Sequence, residues 1–249
     1  MSVIDVYWLL GILGAVALVL LALLFIPTNR GLKRARGTVR SGSNPPHQPD
    51  EAIRLLPIPK APDTAVPKWC VIDLQTTGLD TDRDRIVEAS WLLMDEAYRE
   101  IRRSTKLIRQ TEIGSPEAIA IHRRTLADLQ QLGITEGEWL HSFVTEIPPG
   151  VTLVAHNLAF DREILRSTVE RIAPEYTNLI DRFEGYCTMM AVKMEAKMEA
   201  KGIEEEGYIS LRNLTRRHLG IPDPIFDALT PVSWRNVYFT RLCLQSLNK

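Results

Sequence analysis

The chain has 249 residues, a formal net charge of −1 and a hydrophobic fraction of 45%. That length suffices for one domain with a well-filled core and additional segments. The near-zero net charge argues against a protein that coats nucleic acid through a general basic surface, so any affinity for polyanions must be local. The three cysteines lie far apart and form no Cys-x-x-Cys pair. This usage is typical of a reducing compartment and assigns the thiols no functional role.

The first element in chain order is an uncharged apolar run at residues 7–26, after a short N-terminal end at 1–6. About 20 such residues are needed to cross a bilayer core, so the run predicts a transmembrane helix. A signal peptide would carry its positive charge before a shorter apolar region. Here the positive charge follows the run, at Arg30, Lys33, Arg34, Arg36 and Arg40. The positive-inside rule predicts a single-pass protein of the cytoplasmic membrane, with its N-terminus outside and its C-terminal domain in the cytoplasm.

Residues 27–67 predict a flexible tether, basic at first and then rich in proline. No helical or alternating apolar period continues there for more than a few residues. Such a segment buries too little apolar surface to offset the entropy lost on ordering it. The soluble domain is therefore predicted at residues 68–249.

The pattern from Lys68 onward is that of a compact α/β domain. Three strands are predicted before the first helix, at "WCVIDL", "RIVEASWLLMD" and "REIRRSTKLIR". Helical spacing predicts a helix at 116–131, and "GVTLVAH" predicts a fourth strand. Asn157 is a good N-cap for the amphipathic helix that follows it. The rest is predicted to be mainly helical, with a final helix at about 232–247. We expect a mixed sheet flanked by helices.

The order of five motifs resembles that of a known family. The motifs are "IDLQTTGL", "IVEAS", "AIHRRTLADL", "LVAHNLAFDREIL" and "LRNLTRRHLGI". Together they resemble the DEDD-type (DnaQ-like) 3′–5′ exonucleases, over nearly all of residues 68–249. The resemblance implies a ribonuclease-H-like mixed β-sheet flanked by helices. It also implies hydrolysis by two Mg²⁺ or Mn²⁺ ions, held by four carboxylates and assisted by a general-base histidine.

The catalytic set that the resemblance implies is incomplete. Asp73 and Asp161 match two of the carboxylates and are expected to be remnants of the catalytic and metal-binding site. Gln75 stands where the family has a glutamate. When "IFDALTPVSWRNVYFTRL" is aligned with the third motif, Phe226 falls at the general-base histidine and Pro231 at the last aspartate, five residues later.

Each of these three replacements removes a chemical group. Glutamine lacks the negative charge that would sit between the metals, and proline supplies no ligand. Phenylalanine cannot accept a proton. With Asp73 and Asp161 alone, metal binding is predicted to be weak or absent. A second register would place Asp227 at the last aspartate, but it puts Pro222 at the base position and shifts the closing helix.

The resemblance implies nucleic-acid-binding residues at Thr76, Thr77, Gly78, His122, Arg123, His156, Asn157 and Phe160. For the two histidines a structural role is the commoner alternative. Further arginines on predicted helices are either phosphate contacts or ordinary solvated surface. Glu88 matches a frequent acid of the family but has no assigned role.

Two functional hypotheses follow from these residues. The first, which the replacements favour, is a membrane-tethered pseudo-exonuclease that binds nucleic acid or protein and holds no cofactor tightly. The second is an active exonuclease that uses Mg²⁺ or Mn²⁺ with Asp73, Asp161 and, in the second register, Asp227. The predicted partners are single-stranded DNA or RNA 3′ ends, the membrane through the N-terminal helix, and an unidentified protein.

Overall fold

The computed structural model describes residues 55, 57–199 and 209–248, with the backbone alone for 195–199. The predicted transmembrane helix and most of the tether lie outside these residues. Within the described ranges, no helix is long and apolar enough to cross a membrane.

Five strands form one sheet in the described part of the chain. They are β1 (Trp69–Thr76), β2 (Ile86–Met94), β3 (Glu100–Leu107), β4 (Thr152–Ala155) and β5 (Gly185–Cys187). Their order in the sheet is β3-β2-β1-β4-β5. The pairs β1–β2 and β2–β3 are antiparallel, whereas β1–β4 and β4–β5 are parallel. The predicted mixed sheet is confirmed, but β5 was not predicted because three residues are too few to show a period.

Nine α-helices surround the sheet in the same described ranges. They are α1 (Pro116–His122), α2 (Leu126–Leu132), α3 (Glu136–Glu146), α4 (Leu158–Ile172), α5 (Thr177–Asp181), α6 (Thr188–Glu199), α7 (Leu211–Leu219), α8 (Asp223–Ala228) and α9 (Val232–Leu247). The final helix has the predicted bounds. No helix was predicted at α3, whereas α5 lies in the part that was predicted to be mainly helical. The short helix α8 lies inside the stretch that was aligned with the third motif.

The single helix predicted at 116–131 is wrong, because two helices occupy this stretch. Arg123 ends α1 in the left-handed conformation, with a φ of 59°. Thr125 then begins α2 with a capping box, in which its side chain accepts from Asp128 N and the Asp128 side chain accepts from Thr125 N. The left-handed residue Arg123 and the capping box at Thr125 therefore interrupt the single helix that the apolar spacing predicted.

The sheet carries a hydrophobic core on each face. On one face the largest buried side chains are Trp91, Trp139 and Phe143, contributed by β2 and α3. On the other face α9 packs on β1 and β2, with Phe239 fully buried. All nine residues of β2 are buried, because the strand has a neighbour on each side and is covered on both faces.

A buried charge network fixes the start of α9 on the sheet. Glu88 of β2 is completely buried and pairs with Arg124. Its other carboxylate oxygen accepts hydrogen bonds from the backbone N (3.0 Å) and the hydroxyl (2.5 Å) of Ser233. Ser233 lies in the first turn of α9, where free N–H groups and the helix dipole favour a carboxylate. Glu88, which sequence reasoning left without a role, therefore ties the first turn of α9 to β2.

The end of the predicted tether runs along the edge of β3. Ile58 is buried, with 8% of its surface exposed. The backbone of Glu100 donates to Pro59 O (2.7 Å) and accepts from Ala61 N (2.8 Å). The Lys60 ammonium lies 2.5 Å from the Glu100 carboxylate. This segment thus contacts the sheet ahead of the predicted domain boundary at residue 68.

Candidate active-site cleft

A cleft with a volume of about 1690 Å³ opens at the C-terminal end of β1. Because β1 and β4 are parallel, their C-terminal ends meet at one edge of the sheet, where α4 also begins. This geometry brings together nine predicted residues that line the cleft: Asp73, Gln75, Thr76, Thr77, Gly78, His156, Asn157, Phe160 and Asp161. Asn157 is at the N-cap position of α4, although its side chain makes no capping hydrogen bond.

One wall of the cleft is a loop packed against the turn after β1. Ser115 N donates to Thr77 O (3.1 Å), which joins the start of α1 to this turn. Gly114 has a φ of 94°, and a Cβ there would lie 2.0 Å from Thr77 O. Only glycine permits both the backbone conformation and this close approach.

Two amide groups engage the Asp73 carboxylate. Gln75 Nε2 donates to Oδ2 at 2.6 Å, and Asn236 Nδ2 donates to Oδ1 at 3.1 Å. Burial raises the pKa of Asp73 to about 7, although both amide hydrogen bonds oppose that rise. Each oxygen of Asp73 therefore faces an amide nitrogen of this chain.

Asp161 is the second carboxylate of the cleft and is buried, with 6% of its surface exposed. Burial is the main cause that raises its pKa well above the ordinary value, and the neighbouring charge of Asp73 adds to the rise. Leu74 N donates to Asp161 Oδ1 at 3.2 Å, which opposes it. Both carboxyl groups of the cleft therefore have raised pKa values, with burial as the main cause.

Sequence reasoning missed Asn236, which lies on α9 and lines the cleft. Phe226 is instead buried against Phe239, with ring centroids 4.7 Å apart, and Pro231 is the N-cap residue of α9. Neither lines the cleft. We infer that Asn236 occupies the position of the last aspartate, and counting five residues back puts Pro231, not Phe226, at the general-base position. An asparagine is isosteric with aspartate, so a search for amides in place of acids would have singled it out.

The two predicted histidines hold the backbone around the cleft. His122 Nδ1 accepts from Arg124 N (3.0 Å), so Nε2 is the donor to Ile113 O (3.3 Å). His156 bonds Thr188 Oγ1 (3.1 Å) and Ile209 O (2.6 Å). Burial lowers the pKa of both imidazoles. His122 and the exposed Arg123 do not line the cleft, whereas His156 does.

Asp227, the carboxylate of the second register, lies outside the cleft lining. Arg212 holds it through two hydrogen bonds of 2.6 and 2.7 Å, and Arg235 adds a third contact at 3.3 Å. Both guanidinium groups also lie over the Phe226 ring, at 4.9 and 4.8 Å from its centroid. Asp227 is therefore part of a structural arginine–aromatic cluster.

A comparison with protein families identifies the family to which this chain belongs. A family model described as exonuclease, of the RNase T type, matches residues 70–223, which is more than half of the chain. The chain belongs to the exonuclease family. This confirms the predicted resemblance to DEDD-type 3′–5′ exonucleases with a ribonuclease-H-like fold. The match ends before α9, the helix that carries Asn236.

Solved structures of exonuclease I share the family's fold with this chain. The E. coli enzyme in complex with a 5cy-dA13 oligonucleotide is 18% identical, with a TM-score of 0.58 over 72% of this chain and 39% of that one. Exonuclease I from Methylocaldum szegediense is 20% identical, with a TM-score of 0.57 over the same shares, 72% and 39%. The chain thus spans about two fifths of these proteins, and at such identities the likeness shows the fold alone. No curated protein matches the chain.

The residues of the cleft do not fit the two-metal centre typical of the family. Hard divalent ions need several anionic or carbonyl oxygens at short range. Among the described residues, no group of three or more acidic, histidine or cysteine side chains is placed to hold a metal ion. The oxygens of Asp73 are engaged by amide nitrogens, which carry protons and cannot serve as ligands.

Proposed function

We propose that this chain is a membrane-anchored pseudo-exonuclease that binds single-stranded nucleic acid without cleaving it. The observation that carries this proposal is the contrast within one site. The chain has an open cleft of about 1690 Å³ and the Thr-Thr-Gly turn, whereas Gln75, Pro231 and Asn236 stand at positions that need two carboxylates and a base. Binding needs the shape, but hydrolysis needs those groups.

Two exposed apolar side chains at the cleft support a single-stranded ligand. Leu79 and Ile121 line the cleft and have 83% and 59% of their surface exposed. Bases of a single strand present apolar faces that such side chains can contact without reading sequence. Two of the similar solved structures are of E. coli exonuclease I in complex with 5cy-dA13 and dA16 oligonucleotides, and a third is of its complex with single-stranded DNA.

The second hypothesis, an active exonuclease, lacks its third carboxylate in this geometry. Its second register placed Asp227 in that role, but Asp227 is held by two arginines outside the cleft lining. Asn236 takes the place beside Asp73 instead.

The test is equilibrium binding of a labelled single-stranded oligonucleotide, as DNA and as RNA, to the full chain in detergent with EDTA present. Leu79→Ser and Ile121→Ser should each weaken binding by about tenfold, because the loss of one apolar contact costs roughly 1–2 kcal/mol. Leu132→Ser is the matched control, since Leu132 is 70% exposed but lies outside the cleft lining. Equal effects of all three variants, or no binding by the unmodified chain, would refute the proposal.

A further inference from the structure

The Asp73 carboxylate is the centre of a small hydrogen-bonded cluster that joins three elements. Asp73 and Gln75 lie on β1, Asn236 lies on α9, and Asp161 on α4 bonds Leu74 N in β1. A carboxylate that bridges two cations offers one oxygen to each of them. Here each oxygen of Asp73 accepts instead from one amide N–H group.

We propose that the Gln75 and Asn236 amides are built-in substitutes for the two metal ions, so that the cleft is held together without any divalent cation. One amide lies on β1, the strand that carries Asp73 itself, and the other lies on α9, which packs on that strand. Each amide supplies a partial positive charge to Asp73 and adds no negative charge of its own. This inference concerns metal ions and stability, and it does not rest on nucleic-acid binding.

Acids at positions 75 and 236 would have the opposite electrostatic effect on Asp73. A glutamate at 75 and an aspartate at 236 would direct two more carboxylates at Asp73, with no donor between them. Like charges at this separation repel strongly in a partly buried site. A chain with both acids should therefore need a divalent cation for the stability that the natural chain has without one.

A second feature fixes the geometry of the cluster independently of any ion. Ser233, in the first turn of α9, is bonded to the buried Glu88, and this contact sets the helix one turn before Asn236. The amide of Asn236 is thus presented to Asp73 by a helix whose first turn is held on the sheet by protein groups. Because Gln75 and Asn236 are already held beside Asp73, the substitutions Gln75→Glu and Asn236→Asp change the charge of the site with little change in its shape.

The experiment measures thermal unfolding of the full chain in detergent, by tryptophan fluorescence, in EDTA and in millimolar Mn²⁺. The double variant Gln75→Glu with Asn236→Asp should unfold at a temperature lower by on the order of 5–10 °C in EDTA, and Mn²⁺ should restore most of that loss. The unmodified chain should not respond to Mn²⁺. The control is the double variant Gln130→Glu with Gln131→Glu, which makes the same change of charge at two exposed positions on α2. Its unfolding temperature should match that of the unmodified chain in both EDTA and Mn²⁺.

Two results would overturn the proposal: a Mn²⁺-dependent rise in the unmodified chain, or a double variant that matches the unmodified chain in both conditions. If the double variant is unfolded in EDTA, recovery in Mn²⁺ supports the proposal. If it is unfolded in both, the single variants Gln75→Glu and Asn236→Asp are measured in the same way. A Mn²⁺-dependent rise in either supports the proposal, and no rise in both contradicts it. Because no nucleic acid is present, failure here is distinct from failure of the binding proposal.

Discussion

Asp73 is the residue on which the site depends, and its ionisation links the cleft to the stability of the fold. Burial raises its pKa to about 7 in the folded chain, against about 3.9 when unfolded. At a pH between these two pKa values, Asp73 is protonated to a greater extent in the folded state than in the unfolded state. The stability contributed by protonated Asp73 is therefore complete below about pH 4 and is lost as the pH rises through about 7.

The first prediction follows from that sign. Between about pH 4 and pH 7 the free energy of unfolding should fall more steeply for the unmodified chain than for Asp73→Asn, by up to about 1.4 kcal/mol per pH unit. Urea titrations at several pH values measure this difference. Asp63→Asn, a change at an exposed aspartate, should leave the profile parallel to that of the unmodified chain. A profile of Asp73→Asn that is also parallel would show that Asp73 does not titrate in this range.

Of the two amides that contact Asp73, the sequence predicted the position of Gln75 but not that of Asn236. Gln75 follows Asp73 by two residues on a strand, so period-2 alternation alone puts it on the same face. Asn236 is 163 residues away from Asp73, and its place depends on how α9 crosses the sheet. Local patterns cannot fix such a crossing. The alignment therefore placed the third motif at Phe226 and Pro231.

Among the elements, α9 depends on a buried ion pair for its position. Glu88 joins β2 to Arg124 and to the first turn of α9 through Ser233. The alternating and apolar patterns predicted β2 and α9 themselves, but not this contact, because a single acid in an apolar run has no periodic signature. Its partners come from two segments distant in sequence.

The second prediction tests that anchor. Glu88→Gln should lower the free energy of unfolding by about 3 kcal/mol, because removing one member of a buried pair leaves the other uncompensated. Ser233→Ala should cost less, about 1 kcal/mol, since Glu88 keeps Arg124 and the Ser233 backbone N–H. Denaturant unfolding gives both values, with the exposed Glu170→Gln as control. If Glu88→Gln costs no more than Glu170→Gln, the network does not anchor α9.

For the whole molecule, the proposed location rests on residues 7–26 and the basic residues after them, which lie outside the described part of the chain. The uncharged run and its positive flank predict that the full chain remains in the membrane fraction after carbonate extraction. Removal of residues 1–26 should release the protein into the soluble fraction. Protease added to intact cells should not reach the C-terminal domain. Digestion of that domain from outside would reverse the predicted orientation.

We propose that this exonuclease fold keeps an open cleft but does not hydrolyse nucleic acid. The most direct measurement incubates the purified full chain with 5′-labelled single-stranded DNA and RNA in Mn²⁺ and follows their length over time. We expect the oligonucleotides to be retained by the protein at full length, in Mn²⁺ as in EDTA, because Gln75 and Asn236 supply no anionic ligand and Pro231 supplies no base. Progressive shortening from the 3′ end in Mn²⁺, abolished by Asp73→Ala, would contradict it.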